Sequence, residues 1–352
     1  MSDISNTVRK VISESEDILK AGGNTIAEVG GTAKSEVNDA ASKLLHMGED
    51  IVKAGGNPIS EISEAVRKNF RESDDIRDAG LTTPEDIVRF DDIFYGTDPA
   101  WHKLDVYRPR SAGKEKLPVL INVHGGGWIY GDKERYQYYC MNLAERGFAV
   151  VNFTYRLFPE FNFPAPLEDT NLVAGWTIAH AEKYGFDTNH IFAVGDSAGA
   201  HILALYAAIC TNLKYASLYS SQIPKGFALK AIALNCGIYR LIKVEDLTPD
   251  MIALIKKILP EGTTKENLAG ISPVGYISEQ FPPVTYMTCT GDFLKGQASV
   301  LEQKLLEKNI PHEFHYFGNS EKELGHVFHL NIKSEDATLC NDLECAFFKH
   351  FL

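Results

Sequence analysis

At 352 residues the chain is longer than one hydrophobic core usually needs, so it calls for a large domain with an appendage, or two domains. Its 44% hydrophobic and 23% charged content is that of a globular protein, and a net charge of −12 works against nucleic acid or an anionic membrane surface as partner. Cys140, Cys210, Cys236, Cys289, Cys340 and Cys345 show no close Cys-x-x-Cys spacing and read as buried, reduced thiols rather than a disulfide framework or metal site. The first residues lack a basic and then apolar leader pattern, and no run reaches membrane-spanning length. The expected location is the cytoplasm.

Composition changes near residue 89. The first 89 residues hold a single aromatic ring, Phe70, too little for a core of their own. Asp17-Ile18-Leu19-Lys20-Ala21-Gly22-Gly23-Asn24 returns 33 residues later as Asp50-Ile51-Val52-Lys53-Ala54-Gly55-Gly56-Asn57. A glycine pair suits the end of one helix and asparagine the start of the next, with Pro58 at the first helical position. Residues 1–85 are therefore expected to form a helical segment whose amphipathic stripe needs cover. That cover is either the main domain, with the segment acting as a cap, or another subunit, which would give a homo-oligomer.

From residue 86 the pattern is α/β. Strands are expected at 90–95, 102–108, 118–124, 148–154, 190–195, 229–235, 283–290 and 312–317, and helices at 133–147, 165–184, 198–211, 296–309 and 335–351. An early hairpin-like pair followed by strand–helix alternation predicts a mostly parallel eight-stranded sheet with helices on both faces. The alternation lapses at 236–282, where Thr248-Pro249-Asp250 opens an amphipathic stretch. An excursion of that length is expected to add to the cap.

Three stretches carry chemistry. The apolar run 118–123 is followed by His124-Gly125-Gly126-Gly127-Trp128, where glycines suit a flexible turn or backbone that closely approaches a ligand. Tyr155 to Asp169 is a connection stiffened by Pro159, Pro164 and Pro166. Gly195-Asp196-Ser197-Ala198-Gly199 sits between a strand pattern and a buried-helix pattern, the context of a nucleophile elbow. A serine hydroxyl is a poor nucleophile until a base takes its proton, and the imidazole in turn needs a carboxylate to fix its tautomer. His124 reads as structural rather than catalytic.

These three blocks, in this order and at this spacing, resemble the hormone-sensitive-lipase-like branch of the α/β-hydrolases from near residue 90 to near residue 330. The resemblance implies Ser197 as nucleophile, Asp292 after the seventh strand as acid and His326 after the eighth as base. It implies oxyanion-hole amides from Gly126, Gly127 and Ala198. His329 is the main rival to His326; His312 and His315 fall inside the last strand, and Glu321 and Glu323 in a polar loop. One departure stands out: the family usually has Arg-Asp-Glu or similar where this chain has Lys295-Gly296-Gln297.

The expected activity is a serine carboxylesterase acting on small, short-acyl or aryl esters through an acyl-enzyme, needing neither cofactor nor metal. Hydroxycinnamoyl (feruloyl) and acetyl-sugar esters are the alternative substrates. A non-catalytic small-molecule receptor on the same fold is the alternative of another class.

Overall fold

The computed structural model describes residues 58–241 and 264–352. The repeat at 17–57 and the stretch opened by Thr248 lie outside the described residues. The elements run α1 (Pro58–Asp78), β1 (Ile87–Phe94), β2 (Lys103–Pro109), β3 (Leu117–Val123), α2 (Lys133–Ala144), β4 (Ala149–Phe153), α3 (Ala165–Ala179), α4 (Ala181–Tyr184) and β5 (Phe186–Asp196). They continue with α5 (Ala198–Thr211), α6 (Leu213–Ala216), β6 (Leu229–Asn235), α7 (Lys265–Gly270), β7 (Val284–Cys289), α8 (Gly296–Glu307), β8 (His312–Phe317) and α9 (Glu335–Lys349).

The eight strands form one sheet in the order β1-β2-β4-β3-β5-β6-β7-β8. β1 pairs antiparallel with β2, and β2 with β4; every later pairing is parallel. This is the α/β-hydrolase fold. The apolar runs in the central strands exist because both faces are covered. Val119, Ile121, Val123, Ile191, Ala193, Ile232 and Leu234 pack on one face with α3 and α5. Leu120, Val150, Phe192, Val194, Ala231 and Ala233 alternate to the other, against Cys140 and Met141 of α2 and Phe348 of α9. Helix α5 is buried from Ala198 to Ile209, which explains a sequence that is apolar all round. Among the described residues no helix is long and apolar enough to cross a membrane.

Two boundaries depart furthest from expectation. Strand β5 begins at Phe186, ahead of the apolar run, because Phe186 and Asp187 pair with Leu117 and Pro118 before a register shift brings Ile191 opposite Val119. The helix expected over 165–184 breaks at His180, whose Nδ1 lies 2.9 Å from the Trp176 carbonyl and whose ring stacks on Trp176.

Among the described side chains of helix α1, polar groups fasten it to the domain, and Val66 packs on the core. Arg67 Nε donates to the Ile129 carbonyl at 2.7 Å, and its Nη2 to the Phe158 carbonyl at 2.8 Å and to Glu160 at 2.6 Å. Tyr130 Oη donates to Asp74 at 2.7 Å, and Phe70 lies 5.4 Å from the Tyr130 ring.

Beneath the sheet's carboxyl ends sits Glu344 of α9, buried and held by Asn235 Nδ2 at 2.7 Å and Tyr139 Oη at 3.3 Å. Burial pushes its carboxyl from the ordinary 4.5 up to about 7, against those two hydrogen bonds. The unfolded chain releases this proton first, so stability falls as pH rises from 4.5 to about 7. Glu344→Gln is expected to match the native protein at pH 5 and to exceed it at pH 8 by about 2 kcal/mol, read by urea unfolding at both pH values. Equal slopes with pH in the two proteins would refute this account.

Candidate active site

Strand β5 delivers Ser197 at its carboxyl end, and α5 starts at the next residue. The turn between them is tight. Ser197 adopts φ 50° and ψ −116°, a conformation that costs a non-glycine residue about 1–3 kcal/mol. Its N–H donates to the Asn235 carbonyl of β6 at 2.8 Å, which anchors the bend to the neighbouring strand. Gly199 is indispensable here: a Cβ would stand 1.9 Å from the Val123 carbonyl oxygen of β3. Ser197 is consequently half-buried with its side chain turned toward one histidine.

That histidine is His326. Its Nε2 lies 2.9 Å from Ser197 Oγ, and its Nδ1 lies 2.7 Å from Asp292 Oδ1. The carboxylate fixes the proton on Nδ1, leaving Nε2 to accept the serine proton. Asp292 is buried. Burial alone would raise its pKa, but the hydrogen bond and charge of His326, with Thr288 Oγ1 and the Leu294 N–H, hold it below the ordinary carboxylate value. Thr288 donates at 2.6 Å and Leu294 N at 2.8 Å. The histidine loop is pinned beside the aspartate: Gly291 N donates to the Leu324 carbonyl at 2.9 Å, Leu324 N to Thr290 Oγ1 at 3.0 Å, and Cys289 Sγ lies 3.1 Å from the carbonyls of Leu324 and Gly325.

The remaining histidines sit elsewhere. His329 is fully buried in an apolar setting, edge-on to Tyr139, and burial pushes its pKa down to about 3. His312 and His315 lie on β8. His124 stacks on Tyr155 at 4.0 Å with Nδ1 2.8 Å from the Gly125 carbonyl, and burial lowers its pKa to about 4. Glu321 and Glu323 are exposed.

Residues Gly126 and Gly127 follow β3 with φ of 107° and 62°, and Trp128 has φ 63°. Their loop is clamped to the elbow twice. Tyr136 Oη accepts from Gly125 N at 2.9 Å and donates to Asp196 Oδ2 at 2.8 Å. Trp128 Nε1 donates to His201 Nδ1 at 3.2 Å, one turn into α5. The loop therefore stands against the N-terminus of α5, where Ala198 contributes its own N–H. Backbone donors gathered at a helix N-terminus favour an anion.

Sequence reading missed Tyr136, Thr288 and the Trp128–His201 contact, since each depends on side chains that meet only across the fold. Lys295 and Gln297 do work of their own. Lys295 Nζ donates to the Thr290 carbonyl at 2.9 Å, and Gln297 Oε1 accepts from the N–H groups of Tyr239 and Arg240 at 3.0 and 2.9 Å.

One metal-like grouping exists among the described residues: Cys236 with Asp292 and His326, whose ligand atoms lie within 4.8 Å of one another. The aspartate and histidine atoms in it are already committed to each other and to Ser197, so the set reads better as a proton relay with a neighbouring thiol. A cleft of about 650 Å³ lies nearby, lined by Phe163, Leu167, Tyr206, Ile209 and Ile271 among others. His201 links it to the elbow, with its Nε2 on the Ile271 carbonyl at 2.7 Å and its ring 6.2 Å from Phe163.

Esterase LipC of Mycobacterium tuberculosis is 29% identical over 199 residues, covering 54% of this chain and 48% of that protein. Versiconal hemiacetal acetate esterase of Dothistroma septosporum is 28% identical over 220 residues, covering 57% and 65%. The chain thus spans less than two thirds of these relatives. In fold it is similar to esterase B of Lactobacillus rhamnosis (TM-score 0.77, 23% identity, 87% of this chain and 96% of that one). It is also similar to the esterase of the archaeon Pyrobaculum calidifontis (TM-score 0.66, 23% identity, 82% and 93%). Residues 104–305, from β2 into α8 and more than half of the sequence, match the family model described as BD-FAE, and the chain therefore belongs to the BD-FAE family.

Proposed function

We propose that this protein is a serine carboxylesterase that cleaves small esters in two steps. The observation that carries the proposal is the continuous line Ser197–His326–Asp292, with both links at hydrogen-bond length. Ser197 Oγ attacks the ester carbonyl while His326 Nε2 takes the hydroxyl proton, and Asp292 stabilises the imidazolium that results. The N–H groups of Gly126, Gly127 and Ala198 receive the negative oxygen of the tetrahedral intermediate. His326 then hands its proton to the departing alkoxide, leaving the acyl group on Ser197. Water, deprotonated by the same nitrogen, releases the acid and restores the serine.

Esterases among the relatives support this reading, and an acetate ester is named for one of them. Short-acyl and aryl esters are the proposed substrates, with hydroxycinnamates and acetylated sugars within that range. The three sequence blocks further support a place beside the hormone-sensitive-lipase-like branch. Helix α1, fastened by Arg67 to the loop after the glycines, supports a cap drawn from residues 1–85 and 236–282 over a hydrolase domain of 86–352.

A phosphonate ester probe tests the proposal directly. Intact-mass analysis is expected to show one adduct per chain, mapping by peptide to Ser197 and accompanied by loss of p-nitrophenyl acetate turnover. A chain that takes up no probe and hydrolyses no ester would be a binding protein on the same fold instead.

A further inference from the structure

Phe293 is an anomaly of position. Its neighbours Asp292 and Leu294 are buried, yet its own side chain is 54% exposed. The backbone gives it little freedom: Asp292 N donates to the Cys289 carbonyl at 3.2 Å, Leu294 N to Asp292 Oδ1 at 2.8 Å, and Lys295 N to the Asp292 carbonyl at 3.2 Å. Scattered exposed apolar residues are ordinary. This one differs because its ring is held 4.4 Å from the His326 imidazole, tilted by 44°.

Resting on the esterase reading above, we propose that Phe293 forms the alcohol-side wall of the site and selects esters with an aromatic leaving group. His326 Nε2 must protonate the departing oxygen, which therefore comes within about 3 Å of that nitrogen. A group bonded to this oxygen comes close enough to the imidazole to be met by a ring centred 4.4 Å from it. The acyl substituent diverges from the same carbonyl carbon in another direction, so the ring discriminates among alcohols rather than acids. An exposed phenyl face beside the leaving group offers a flat group an offset or edge-on aromatic contact, which an alkyl alcohol cannot reproduce.

The test compares phenyl acetate with cyclohexyl acetate, which share the acyl group and differ in the aromaticity and basicity of the alcohol; the difference in basicity is common to native protein and variant and cancels when their ratios are compared. In Phe293→Ala the ratio of kcat/KM for phenyl over cyclohexyl acetate is expected to fall about two- to ten-fold. Phe293→Leu should keep most of the cyclohexyl rate and still lose the phenyl preference. A p-nitrophenyl series from acetate to hexanoate should keep its ranking in both variants. An unchanged phenyl-to-cyclohexyl ratio would overturn the proposal. So would an equal loss on every ester with an altered pH profile, because the ring would then serve the imidazole and not the substrate. Native protein that hydrolyses none of these esters and takes no phosphonate would overturn the esterase reading itself, and this wall with it.

Discussion

Ser197→Ala is expected to lower kcat for p-nitrophenyl acetate by about 10⁵-fold while leaving the fold and thermal transition in place. In the proposed reaction this hydroxyl oxygen becomes bonded to substrate, and among the described residues no second hydroxyl stands on His326 Nε2. His326→Ala should cost a similar factor, since Ser197 Oγ then has nowhere to send its proton. The double variant should be no worse than either single one, because residues of one relay fail together. Asp292→Asn should cost about 10⁴-fold. The amide would place a donor against Nδ1 and favour the tautomer that carries its proton on Nε2, the wrong side for accepting from serine. Steady-state rates with circular dichroism as a folding control decide the matter. A well-folded Ser197→Ala that retains near-native turnover would remove Ser197 from the reaction.

The second large effect is expected from a single methyl group. In Gly199→Ala the added Cβ meets the Val123 carbonyl oxygen at 1.9 Å and the His124 carbonyl oxygen at 2.5 Å. Both are backbone atoms at the end of β3, so neither can swing aside as a side chain would. Either α5 retreats from the sheet or β3 gives way together with the glycine loop that follows it. We expect a loss of about 3 kcal/mol or more in unfolding free energy. A further loss of about 10²-fold in kcat should accompany it, because displacement of the oxyanion donors by an ångström is costly. Gly296→Ala in α8 is the matching control. Nothing lies within 4 Å of its new Cβ, and helix propensity favours alanine by up to about 1 kcal/mol. If the two variants unfold at the same urea concentration, the close approach of β3 and α5 is not as tight as described.

The sheet was legible because its strands are buried on both faces and so appear as uninterrupted apolar runs. Where burial is interrupted the reading slipped. Asp187, Thr188 and Asn189 look like a loop in sequence, yet Asp187 pairs with Pro118 before the register shift. His180 looks like one more helical residue until its ring is seen stacked on Trp176.

For the site, it is the resemblance to the hormone-sensitive-lipase-like branch that points to Ser197, Asp292 and His326, and the structure brings the three side chains within hydrogen-bond reach of one another. What holds them could not be read in the same way. Tyr136 lies 60 residues from Asp196, and nothing local marks it among fifteen tyrosines as the one that bridges an elbow to a loop. Thr288 is one β-branched residue in a strand of apolar and β-branched neighbours. The unusual Lys295-Gly296-Gln297 draws attention in sequence, but the aspartate's support comes from Thr288 Oγ1 and the Leu294 amide.

Serine and histidine are 129 residues apart in sequence and meet only after β6 and β7 have been laid down between β5 and β8. A nascent chain emerging from the ribosome therefore carries the hydroxyl long before it carries the base. Until the segment after the last strand has joined the sheet edge, that hydroxyl has no imidazole beside it. On the esterase reading, turnover needs the whole span from β5 past β8 to be in place.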